Sequence, residues 1–117
     1  MSEPQEIVIT GLDGVLALIE HRLPHLYNDE GVKHWDRFLA ACEDDMPNLP
    51  LIERLNQARD SGHPIVILTG RSAAVKSQTE AWLHRWQIGY DALWMRPADN
   101  RKPAVQFKTA VIEQHYG

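Results

Sequence analysis

The chain has 117 residues, enough for one core and too few for two, so a single domain spanning 1–117 is expected. Its apolar fraction of 44% and charged fraction of 24% exclude wholesale disorder, and a net charge of -4 excludes broad electrostatic attraction to nucleic acid, leaving only a local basic site for that purpose. One cysteine, Cys42, excludes an internal disulfide, the polar start Met1 to Glu6 excludes a signal peptide, and no apolar run approaches the roughly 20 residues that cross a bilayer, so a cytoplasmic location without membrane contact is expected.

The first element is an apolar β-branched run, Ile7-Val8-Ile9-Thr10, that leads directly into Gly11-Leu12-Asp13-Gly14. It reads as a buried strand delivering an acidic side chain at its carboxyl end, the place where open α/β sheets bind ligands. Leu18 to Glu30 has no clean period and is interrupted by Pro24, which predicts a loop or short cap over the strand end. Val32, Trp35, Phe38, Leu39 and Cys42 recur at helical spacing and predict an amphipathic helix from about Val32 to Cys42, with Trp35 on its packed stripe. Glu43-Asp44-Asp45 then reads as a solvated acidic turn. A helix follows from Pro50 to Gly62, facing the core with Leu51, Ile52, Leu55 and Ala58.

Pro64-Ile65-Val66-Ile67-Leu68-Thr69 predicts a second buried strand, ending in Gly70-Arg71. Ser72 is the expected N-cap of a helix that carries Val75, Thr79, Trp82, Leu83 and Trp86 and stops at Gly89. Ala92 to Met95 is a third strand, followed by Arg96-Pro97, and a last helix runs from about Pro103 to Tyr116. Strands alternating with helices of this length imply a parallel sheet, hence a small Rossmann-like α/β fold. His21 and His25 have the spacing of helix-borne metal ligands, but Pro24 lies between them and no third ligand is evident.

The chemistry gathers at strand ends. Thr69 follows a strand and precedes a helix, where its hydroxyl and nearby backbone N–H groups are placed to hold an anion. Gly-Leu-Asp-Gly, Thr69-Gly70-Arg71 and Met95-Arg96-Pro97, in that order, resemble the haloacid dehalogenase (HAD) superfamily of phosphohydrolases, and the run from Met95 to Lys108 resembles its polynucleotide 3′-phosphatase branch. The resemblance implies that Asp13 protonates the leaving oxygen and later activates water, that Thr69, Gly70 and Arg71 hold the phosphate, and that Arg96, Lys108 and Arg22 contact it or its ester. Asn100 or Asp99 stands where the branch has an acidic residue between Arg and Lys. It also implies Mg2+, held by the first motif I carboxylate, by the backbone carbonyl of Asp13 and by an acidic group on a fourth strand.

Two features depart from that pattern. The nucleophilic Asp is Gly11, and the sequence reaches Gly117 before a fourth-strand motif. Removing a catalytic nucleophile costs many orders of magnitude in rate, so negligible phosphatase activity is expected. A strand left at the sheet edge has unpaired backbone groups, and a homo-oligomer covering it is expected. The leading expectation is therefore a phosphatase scaffold for a phosphate ester, nucleotide or nucleic-acid end with its chemistry degraded. The alternatives are a non-catalytic phosphate-binding module and a structural subunit that assembles through the open edge.

Overall fold

Residues 6–100 and 102–117 are described by the computed structural model. Strands β1 (Val8–Thr10), β4 (Ile65–Ser72) and β5 (Ala92–Arg96) form the main sheet in the order β1-β4-β5, and both pairings are parallel. The α/β expectation holds. The central strand β4 is buried on both faces from Ile65 to Thr69, which is why its sequence is a continuous apolar run rather than an alternating one. Ile65 and Ile67 join the core made with Leu12, Leu16, Ile52, Leu55, Trp82, Leu83 and Ile88. Those residues bring helix α2 (Leu49–Asp60) and helix α3 (Lys76–Arg85) onto one face of the sheet. Helix α4 (Ala104–His115) packs against β4 and β5, burying Val111.

The segment over the strand ends departs most from expectation. Residues 17–30 contain a two-residue strand and a 3-10 helix: β2 (Ala17–Leu18) pairs antiparallel with β3 (Met46–Pro47), and Glu20–His25 winds as a 3-10 helix that accommodates Pro24. The expected helix over Val32 to Cys42 is shorter, α1 (Trp35–Ala40), and tightens into 3-10 geometry over Ala41–Asp44. Ser72 caps a 3-10 turn, Ala73–Val75, accepting from the Ala74 N–H at 3.1 Å, and α3 begins only after it. Of the tryptophans, Trp82 is buried and donates its Nε1–H to the Asp45 carbonyl at 2.8 Å, whereas Trp35 is exposed, contrary to its expected place on a packed stripe. The largest correction is Asp45. Expected in a solvated turn, its carboxylate is fully buried, because two arginine side chains reach it from either side.

Candidate active-site cleft

The loop after β1 is wound around the Leu12 carbonyl, which accepts from the N–H groups of Val15, Leu16 and Ala17 at 3.1, 3.0 and 2.9 Å. Leu12 and Leu16 are buried in the core, anchoring the loop from below. Gly14 has φ +74, a left-handed conformation that a side chain resists, and its N–H closes the loop on the Ala17 carbonyl at 2.8 Å. The result holds Asp13 at the strand end with its carboxylate partly exposed. Gly11 is the residue immediately before this turn, and it too lines the cleft.

The end of β4 supplies the opposite side. Its pairing with β5 slips between Thr69↔Met95 and Ser72↔Arg96, leaving Gly70 and Arg71 without partners in register. Such a bulge re-aims a side chain, and here Arg71 turns inward and is buried. The Thr69 hydroxyl oxygen accepts from the Arg71 backbone N–H at 3.0 Å. A hydroxyl accepts and donates, so its proton stays available for an anion. Gly70 is fixed by packing: a Cβ there would stand 2.6 Å from the Cβ of Ala104, at the start of α4.

Between these two strand ends lies a quartet of charges, Arg22, Arg71 and Asp45 fully buried and Asp13 partly exposed. Arg22 donates from Nη2 to Asp13 Oδ1 at 2.7 Å and from Nε and Nη2 to the two oxygens of Asp45 at 2.8 and 2.9 Å. Its Nη1 donates to the Phe38 carbonyl at 3.2 Å, and its guanidinium sits 4.3 Å from the centre of the Phe38 ring. Arg71 donates from Nε to Asp13 Oδ1 at 3.2 Å, from Nη2 to the same oxygen and to Asp45 Oδ2, and from Nη1 to the Thr79 hydroxyl at 3.0 Å. Thr79 passes its own proton to the Val75 carbonyl at 2.8 Å. His21 Nε2 lies 2.6 Å from Asp45 Oδ1. Burial pulls the Arg22 guanidinium down, and its bonds and attraction to Asp45 and Asp13 outweigh that, so its pKa lies above the ordinary arginine value. Cys42 sits beside the same group, and burial pushes its thiol up against the opposing pull of Arg71 and Arg22.

A cleft of about 400 Å³ opens above the quartet. Of the residues singled out in the sequence, Gly11, Asp13, Thr69, Gly70, Arg71, Arg96 and Lys108 line it, together with Trp35 and Phe38 from α1. Arg22 does not: it supports the floor from beneath, with every donor directed at Asp13, Asp45 or Phe38. Asn100 is also elsewhere, its Oδ1 accepting from the Lys102 N–H at 2.9 Å in the loop before α4. Asp45 and Thr79 escaped the sequence reading because neither motif nor periodicity marks a buried polar partner. The available signal was indirect: two arginines expected at one pocket require carboxylates to accompany them.

Magnesium does not fit the described residues. Gly11 contributes no carboxylate, the Asp13 carboxylate is held by two guanidinium groups, and no group of three or more His, Cys, Asp or Glu among the described residues is placed to hold a metal ion. The two arginines and two aspartates already balance in charge, so the floor of the cleft is neutral without a cation.

Comparison with known proteins places this geometry in context. The sequence model described as "Polynucleotide kinase PNKP phosphatase domain" matches residues 5–116. Among solved structures, a chain of the Pnkp1/Rnl/Hen1 complex is 29% identical with a TM-score of 0.78, over 95% of this chain and 34% of that one. A chain of the Pnkp1/Rnl/Hen1 RNA repair complex is 28% identical, also with a TM-score of 0.78, over 96% of this chain and 32% of that one. This chain therefore spans about a third of the length of those chains. No curated protein matches it. Among the described residues no helix is long and apolar enough to cross a membrane.

Proposed function

This chain belongs to the polynucleotide kinase PNKP phosphatase domain family, a HAD-like branch whose members generally use magnesium, and from that premise we propose that it binds a terminal phosphate monoester without hydrolysing it by the family mechanism. The observation that carries the proposal is Gly11 at the wall of the cleft. A Cβ built on it would meet only Val15 Cγ2 at 3.2 Å and Val15 Cβ at 3.9 Å, and its backbone is outside the left-handed region. A Cβ at position 11 requires Val15 to move only a few tenths of an ångström. What is lost there is the attacking carboxylate, at a position whose backbone and near surroundings still accept a Cβ.

The rest of the cleft supports phosphate binding. Thr69 offers a hydroxyl, and among the described residues Lys108 on α4 makes no ion pair and Arg96 donates from one nitrogen, Nη1, to the Lys102 carbonyl at 3.3 Å. Two cations and a hydroxyl around one opening suit a phosphate dianion. Asp13 is the family's acid and base by motif, and its Oδ1 accepts from both Arg71 and Arg22, which fixes its carboxylate at the floor of the cleft. The phosphate carrier is a small ester, a nucleotide or a nucleic-acid end; the last is favoured by the description of one structural relative as part of an RNA repair complex. The proposed location is the cytoplasm, in keeping with a single free cysteine.

Gly11→Asp tests the reading. With magnesium, the variant is expected to hydrolyse an aryl phosphate or a 3′-phosphorylated oligonucleotide where the parent gives no rate above buffer. In the parent, inorganic phosphate is expected to raise Tm, and Lys108→Ala to remove the rise. A parent with full activity, or one that phosphate leaves untouched, overturns the proposal.

One observation favours a second reading, assembly through a strand. β1 is at the edge of the described sheet, and Ile9 within it and Ile7 just before it are exposed. Edges of this kind recruit another strand. Light scattering decides it: a homo-oligomer at micromolar concentration supports the reading, and a monomer removes it.

A further inference from the structure

The cleft has an apolar rim that phosphate binding does not use. Trp35 lines it and is 54% exposed, an unusual condition for an indole beside a cavity. It is not a loose side chain. Phe38 holds it in an edge contact, ring centres 5.9 Å apart at 90°, and Phe38 is itself fixed under the Arg22 guanidinium. The Lys33 ammonium stands 5.9 Å from the Trp35 ring and 6.0 Å from the ring of Tyr27, which is 70% exposed. An ammonium near two exposed aromatic rings, one of which lines the same cleft as Thr69 and Lys108, combines the two elements that hold single-stranded nucleic acid: rings for bases and a cation for the backbone.

We propose that Trp35, with Lys33 and Tyr27, is a stacking platform for the base of the nucleotide whose phosphate enters the cleft. This rests on the phosphate-binding reading above and adds to it a contact for the base. The cleft volume of about 400 Å³ is that of a ligand larger than one phosphate, so space for the attached nucleoside is present. A platform held in place by Phe38 before the ligand arrives loses little freedom on binding. The overall charge of -4 is no obstacle, because stacking needs no broad field.

The test measures binding of pentathymidylate with a 3′-phosphate, of the same strand with a 3′-hydroxyl, and of inorganic phosphate, to the full chain and to Trp35→Ala and Trp35→Phe. The phosphorylated strand is expected to bind about tenfold more tightly than phosphate, Trp35→Ala to erase that ratio while leaving phosphate affinity unchanged, and Trp35→Phe to retain most of it. An unchanged ratio in Trp35→Ala, or no preference for the strand over phosphate in the parent, overturns the platform and leaves the phosphate pocket standing. Binding of the 3′-hydroxyl strand that depends on Trp35, with no binding of phosphate, sustains the platform and overturns the pocket. Failure of all three ligands overturns both.

Discussion

The two walls of the cleft are held in place by opposite means. On the sheet side, β4 enters the interior as Ile65-Val66-Ile67-Leu68, and nothing polar is buried until Thr69 at its end. On the cap side, between residues 19 and 45, a fully buried guanidinium and a fully buried carboxylate sit at the centre, with Phe38 and Cys42 around them. Apolar burial is distributed over many small contacts, so removing one methyl group takes away a part. A charge network is indivisible, because each member removed leaves another buried without its counter-charge.

Asp45 is where this difference is largest. Asp45→Asn leaves Arg22 and Arg71 with only Asp13 between them, and a loss of about 3–5 kcal/mol is expected in urea unfolding, against about 0.5–1.5 kcal/mol for Ile67→Val in the sheet. For a domain whose total stability is about 5–15 kcal/mol, the first change brings it near unfolding. Cys42 reports which wall moves: buried, with its thiol pushed up by that burial, it should react slowly with an alkylating reagent in the parent and quickly in Asp45→Asn. Equal losses in the two variants would break the contrast.

The same contrast explains what was legible in the sequence. Periodicity placed β4, α2 and α4, because apolar runs and turn residues signal local structure, and the resemblance to the HAD superfamily named seven of the residues that line the cleft. Periodicity could not place Asp45, since a carboxylate flanked by Glu43, Asp44 and Met46 reads as surface until Arg22 and Arg71, 23 and 26 residues away, are seen to converge on it. Trp35 failed for a related reason. Its spacing with Phe38 and Leu39 is that of one helical face, but α1 is only six residues long and lies at the mouth of a cavity, so part of that face meets solvent.

Gly70 lies at the seam between the walls, and it sharpens the comparison by a different route. Gly70→Ala forces its new methyl into the Ala104 Cβ at 2.6 Å, an overpacking expected to cost about 1–3 kcal/mol and to displace the start of α4 that carries Lys108. Ala104→Gly in the same chain removes the obstructing atom. Most of the loss should return, minus a small helix-propensity penalty. Denaturant midpoints of the two single variants and the double variant decide whether close packing, rather than backbone freedom, fixes this glycine.

A smaller effect is expected where charge is added to the balanced quartet. Gly11→Asp introduces a second carboxylate near Asp13, making the cleft floor net negative, and should lower stability by about 1 kcal/mol in the absence of divalent cations. Magnesium should recover that loss in the variant and leave the parent unmoved, since only the variant has a carboxylate at position 11 beside Asp13. Thermal melts with and without magnesium separate this from any effect on catalysis.

The smallest expected effect lies far from the cleft, where one carboxylate serves the apolar wall. Asp91 Oδ2 accepts from the Ile65 N–H at 2.8 Å, while the Asp91 N–H donates to the Ile65 carbonyl at 2.8 Å, so a single residue fastens the start of β4 to the approach of β5. That backbone N–H bond holds its carboxyl below the ordinary aspartate value against a slight opposing effect of burial, with Arg59 at 3.5 Å adding attraction. A folded-state pKa depressed below the unfolded one contributes stability that is present above about pH 4 and is lost as pH falls through the folded value. Because Asp91 is exposed and its pairing with Arg59 is screened, the charge is expected to contribute only about 0.5 kcal/mol. Asp91→Asn keeps an acceptor for the Ile65 N–H and removes the charge. Its urea midpoint should therefore fall slightly below that of the parent at pH 7 and converge with it at pH 2, while Asp91→Ala, with no acceptor, should stay below the parent at both.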